Sequence, residues 1–137
     1  MQKFIFCIFF ACQILAHAEP KEWKLIHTDN IQGINFFISL GDFSLVNGKT
    51  RMWVMESFEQ LQQVQQLKYN SNKSLVQFDC ESNKMRILAY SLHKSHNASG
   101  NAIFNKNVAL DWSKIKQNSL NKAYQDIACQ EALAKKN

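Results

Sequence analysis

An α+β domain is what this sequence predicts: an antiparallel β-sheet meander of about six strands, with a C-terminal α-helix packed on it and one disulfide stapling the two. Three observations carry that expectation. Apolar and polar residues alternate in short runs separated by turn chemistry, the apolar period becomes helical after Ser119, and one cysteine pair, Cys80 and Cys129, remains once the N-terminal segment is set aside.

The chain has 137 residues, and its start, Met1-Gln2-Lys3 followed by the apolar run Phe4 to Leu15 and by Ala16-His17-Ala18, reads as a signal peptide spanning 1–18. That run is shorter than the roughly 20 residues a membrane-spanning helix needs. Phe9-Phe10-Ala11-Cys12 loosely resembles a lipobox, but Phe stands where Leu is usual and the apolar run continues past the cysteine, so cleavage after Ala18 is preferred to a lipid anchor at Cys12. Residues 19–137 are enough for one domain with one core. Cys7 and Cys12 leave with the signal, and Cys80 and Cys129 then form an even pair in an oxidising compartment, which favours a disulfide over two free thiols.

The first strand is expected in Trp23 to Thr28, and the second in Ile34 to Leu40, with Ile34, Phe36, Ile38 and Leu40 on one face before Gly41-Asp42 breaks it. Asn47-Gly48 supplies the positive φ angles of a two-residue hairpin turn. The arm that follows, Thr50 to Phe58, is apolar on both sides at Met52-Trp53-Val54-Met55 and is expected at the centre of the sheet. From Glu59 to Asn72 glutamines dominate, and Leu61, Val64 and Leu67 fall at helical spacing, which suggests a short helix or an irregular crossing over the surface. Leu75 to Cys80 is a strand that turns Val76, Phe78 and Cys80 to one side. Glu81-Ser82-Asn83-Lys84 has turn chemistry, and the strand from Met85 to Leu92 is expected to put Arg86, Leu88, Tyr90 and Leu92 on one face. Ala102-Ile103-Phe104 returns as the last strand. Ser119 can cap a helix whose stripe is Leu120, Tyr124, Ile127 and Ala128, with Lys135 and Lys136 at the negative end of its dipole.

After loss of Lys3, 15 Lys and Arg face 11 Asp and Glu, a net charge of +4. The basic residues are scattered rather than clustered, so no nucleic-acid footprint is visible, although a mildly basic surface steers acidic partners. No His-Glu-x-x-His, Gly-x-Ser-x-Gly or Cys-x-x-Cys occurs, so neither an enzyme, a metal nor a cofactor is indicated. His93 and His96 lack a third ligand nearby in sequence, and an exposed turn is the simpler reading of that segment. Trp23 and Trp53 are expected in the core.

Several of these residues together resemble the surface-adhesin protein E family of Gram-negative exported proteins. They are the early Trp23, Phe36-Phe37, Gly48-x-x-x-x-Trp53, Ser74-x-x-x-Phe78-Asp79-Cys80 followed by Lys84 and Arg86, then Trp112 and the terminal helix with Cys129. The resemblance spans nearly all of 19–137, and Phe-Asp-Cys with the distal cysteine is its most specific part. It implies an antiparallel sheet with a C-terminal helix on it, and a protein partner such as the host matrix, since characterised relatives attach to vitronectin, laminin and plasminogen. It also places Lys84 and Arg86 at a basic strand end facing that partner. The sequence departs from the family in having no proline before the terminal helix, around Gln117-Asn118. An envelope-housekeeping protein of the periplasm is the alternative expectation.

Overall fold

The computed structural model describes residues 22–39, 41 and 43–136; the expected signal peptide, Leu40 and Asp42 lie outside them. Among the described residues, seven strands form one antiparallel sheet. β1 (Trp23–Asp29), β2 (Ile34–Ser39), β3 (Lys49–Val64), β4 (Leu67–Asp79), β5 (Lys84–His93) and β6 (Ala102–Lys106) lie side by side in chain order, and α1 (Leu120–Ala134) follows them. The two-residue β7 (Ser113–Lys114), which the sequence did not signal, pairs with the Lys84 end of β5 on the same edge that β6 occupies at the His93 end. Between them Leu110 N–H donates to Ile87 O at 2.8 Å, so this edge of β5 is covered along most of its length.

Local chemistry explains the turns. Asn47 (φ 52°) and Gly48 (φ 72°) make the expected two-residue turn, closed by paired backbone bonds between Val46 and Lys49 of 2.9 and 3.0 Å. The arm before it is a single bridge at Val46 rather than a strand.

The glutamine-rich segment overturns one expectation. It is neither a helix nor a crossing, because β3 runs on to Val64 and β4 starts at Leu67, with Val64 opposite Leu67. The spacing of Leu61, Val64 and Leu67 arises from reversal of the chain at Gln65-Gln66, where Gln65 takes φ 51° without the usual Asn or Gly. This tip reaches beyond the neighbours of the two strands, since β2 pairs with β3 only as far as Phe58 and β5 meets β4 from Ser71 onward.

One face of the sheet is covered by α1. Ile38, Met52, Val54, Val76 and Phe78 pack there against Tyr124, Ala128 and Ala132, with Ile115 closing one side. Ala128 and Ala132 present little bulk and let the helix sit close to Phe78, which is fully buried. Ser119 caps the helix by accepting from Lys122 N–H at 3.2 Å, as its position suggested. Two further ties hold α1 down. The Cys80–Cys129 disulfide joins it to the end of β4, with the Cα atoms 5.8 Å apart, and the buried Gln125 amide donates to Asp79 O at 2.7 Å and to Ser82 O at 2.8 Å. Lys135 reaches across the chain to Gly41 O at 3.0 Å and lies over the Phe43 ring.

Candidate functional site

The opposite face of the sheet carries the polar chemistry, and strand register decides which residues meet there. Lys49 pairs with Asp79, which pairs with Lys84, which pairs with Lys114. One row further, Arg51 pairs with Gln77 and Gln77 with Arg86. Their neighbours Thr50, Phe78 and Met85 point the other way, into the helix-covered core, because side chains alternate along a strand. Two adjacent rows on three long strands and β7 therefore bring Lys49, Arg51, Lys84, Arg86 and Lys114 around a single carboxylate, Asp79, with Glu81 at the rim beside Gly48.

The expected site residues fall within this lattice. Lys84 is exposed, whereas Arg86 is half-buried: its Nε donates to Gln77 Oε1 at 2.8 Å, and its guanidinium stacks over the Trp112 ring at 4.6 Å from the centroid. A planar cation held by an amide on one side and an indole on the other loses little freedom on binding. Asp79 tempers the lattice. Burial alone would raise its carboxyl pKa, but the Glu81 N–H, the Ser82 hydroxyl and the nearby Lys49 ammonium outweigh burial and hold it below the ordinary carboxylate range.

A register shift re-aims the rest of β5. Val76 pairs with Ile87 but Leu75 with Ala89, so Leu88 is an extra residue. Arg86 consequently shares its face with Ala89, Ser91 and His93, not with Leu88, Tyr90 and Leu92 as simple alternation predicted. His93 is likewise no part of an exposed turn: it is 3% exposed and bonds Ser91 Oγ through Nε2 at 2.9 Å. Past it, the three-residue turn His96–Ala98 folds over this face, Asn97 N–H donating to Ser57 Oγ at 3.1 Å and Ala98 N–H to Ser71 Oγ at 2.8 Å. Trp53, expected in the core, is half-buried on the helix-free side with the Lys73 ammonium 5.5 Å from its ring centroid. Trp23 is also only half-buried.

The family model for surface-adhesin protein E matches residues 23–130, most of the chain and all seven strands. The chain belongs to the surface-adhesin protein E family. Neither the curated proteins nor the solved structures give a match to it. Membership carries an adhesin-like function, binding to a partner, and no helix among the described residues is long and apolar enough to cross a membrane. Within this adhesin E domain the sequence pointed to Lys84 and Arg86 but missed Arg51, Gln77 and Lys114. The basic pairs Lys49/Arg51, Lys84/Arg86 and Lys114/Lys116 are far apart in sequence, and only the pairing of β3, β4, β5 and β7 brings Lys49, Arg51, Lys84, Arg86 and Lys114 together.

Proposed function

We propose that this adhesin E-family domain is exported after cleavage of 1–18 and attaches to a protein partner of the extracellular-matrix kind through the helix-free face, with Lys84 and Arg86 in contact. The observation that carries the reading is the double row of cations, in which Arg86 is pre-set between Gln77 and Trp112. Arginine and tryptophan are the residues most often responsible for binding energy at interfaces, and the surrounding lysines steer an acidic surface toward them. No bond-making chemistry is asked of the site.

The test is binding to immobilised laminin, vitronectin and plasminogen. Lys84→Glu with Arg51→Glu reverses two exposed charges and is expected to weaken binding about tenfold at low salt, chiefly through association rate, with an unchanged melting temperature. Arg86→Lys keeps the charge but loses the planar stack, and is expected to speed dissociation. Unaltered binding by both variants would discard the site. Protease treatment of intact cells addresses location: a chain that stays protected would rule out adhesion.

A further inference from the structure

Five cations meet on the helix-free face, but they are not equally available to a partner. Lys49 is committed to Asp79 at 3.9 Å. Arg51, Lys84 and Lys114 are exposed, and among the described residues none of the three has an ion-pair partner. Arg86 uses only Nε, on Gln77, which leaves its two terminal nitrogens to take an anion through two parallel bonds.

The spacing of these groups selects a class of ligand. Arg51, Lys84, Arg86 and Lys114 stand in two rows, two residues or roughly 7 Å apart along the strands; from β3 to β7 the first row crosses three strand spacings, roughly 14 Å. In the second row the uncharged Gln77 amide lies between Arg51 and Arg86. Its oxygen is held by Arg86, and its NH2 group has no hydrogen-bond partner among the described residues. The half-buried indole of Trp112 flanks Arg86. Cation, neutral donor, cation and an aromatic plane match a chain whose fixed anions alternate with hydroxyl-bearing rings. An acidic peptide would offer carboxylates to the cations but no such rings to the amide and the indole. In the first row Asp79 stands between Lys49 and Lys84 and repels any anion laid along it.

We propose that the two cationic rows bind the sulfated polysaccharide chains of matrix proteoglycans. The inference rests on the reading that these rows are the contact surface, and it names the group they hold. Sulfate stays ionised throughout the physiological range and presents paired oxygens to a guanidinium fork as phosphate does.

The experiment is an isothermal titration of the exported protein with a size-defined heparin oligosaccharide, the same oligosaccharide desulfated, hyaluronate and polyglutamate. Heparin is expected to bind saturably, with log K falling against log salt at a slope of roughly −3, the value for four contacts on a flexible polyanion. The other three are expected to bind at least about tenfold more weakly at about 50 mM salt. Arg51→Gln with Lys114→Gln should weaken heparin about tenfold and make the slope shallower by about one or more. Asp79→Asn should strengthen it about threefold, a direction that damage to the fold would not produce. Binding of laminin, vitronectin or plasminogen without binding of heparin would overturn this inference and leave matrix attachment standing, whereas heparin binding by a chain that holds none of the three would support it and fail only that choice of partners. Equal binding of polyglutamate or of desulfated heparin, or full heparin binding by the folded Arg51→Gln, Lys114→Gln variant, would also overturn the proposal.

Discussion

Replacing both Cys80 and Cys129 with alanine removes the covalent tie between α1 and the end of β4 while leaving the hydrogen bonds of Gln125 and the packing of Tyr124, Ala128 and Ala132 in place. The sequence separation is 49, and closing a loop of that size in the unfolded chain corresponds to about 4 kcal/mol in the chain-entropy model. A small domain has roughly 5–15 kcal/mol in total, so the variant should fold but marginally. With a urea slope of about 1.3 kcal/mol/M for a domain of this size, the midpoint should fall by about 3 M. The slope itself should rise, because an unlinked unfolded chain exposes more surface. Urea titrations of the wild-type and double-alanine proteins, followed by far-ultraviolet circular dichroism and by tryptophan fluorescence, measure both quantities. A midpoint within about 0.5 M of wild type, or two thiols that alkylate without reductant, would refute the reasoning.

Three further changes probe the contacts around that tie. Gln125→Leu leaves the Asp79 and Ser82 carbonyls without their donor and is expected to cost about 2–3 kcal/mol, read from the urea midpoint. Tyr124→Phe should instead be neutral or stabilising by about 1 kcal/mol, since the buried phenol has no hydrogen-bond partner among the described residues and burial pushes its pKa up; a large loss of stability would show that the hydroxyl is bonded. Asp79 is held in its charged form by Glu81, Ser82 and Lys49, so its folded pKa lies below the unfolded value near 4. Its contribution is therefore present above about pH 4 and lost as the pH falls through the lower folded value. Asp79→Asn should flatten that part of the stability profile, and an unchanged acid limb would contradict the assignment.

The frame of the fold was legible where the residue pattern is local. Ile34, Phe36 and Ile38 share one side of β2, from which Ile38 enters the helix-covered core; Asn47-Gly48 names its own turn; Ser119 stands at the start of a helix and caps it. Cys80 and Cys129 form the disulfide that the sequence suggested from an even cysteine pair and an expected signal peptide.

What escaped the sequence depends on partners far along the chain. The extra residue at Leu88 exists only against β4, and it moves Arg86 from the side of Leu88, Tyr90 and Leu92 to the side of Ala89, Ser91 and His93. The reversal at Gln65 lacks turn chemistry and imitates a helical spacing. β7 is two residues long, too short for any period, yet it brings Lys114 beside Lys84 and leaves Trp112 under Arg86. Gln125 reads as a polar gap in a helical stripe until the carbonyls it serves, more than 40 residues earlier in the chain, are seen.

The most direct measurement is hydrogen exchange of the backbone amides with and without saturating laminin, or whichever of the three matrix proteins binds most tightly. Slowed exchange along β5 and β7 at Lys84 to Ile87 and Trp112 to Lys114, with α1 unaffected, is the result expected of attachment through the cationic rows. Slowing confined to the exposed side of α1, around Asn121, Asp126 and Glu131, would contradict it.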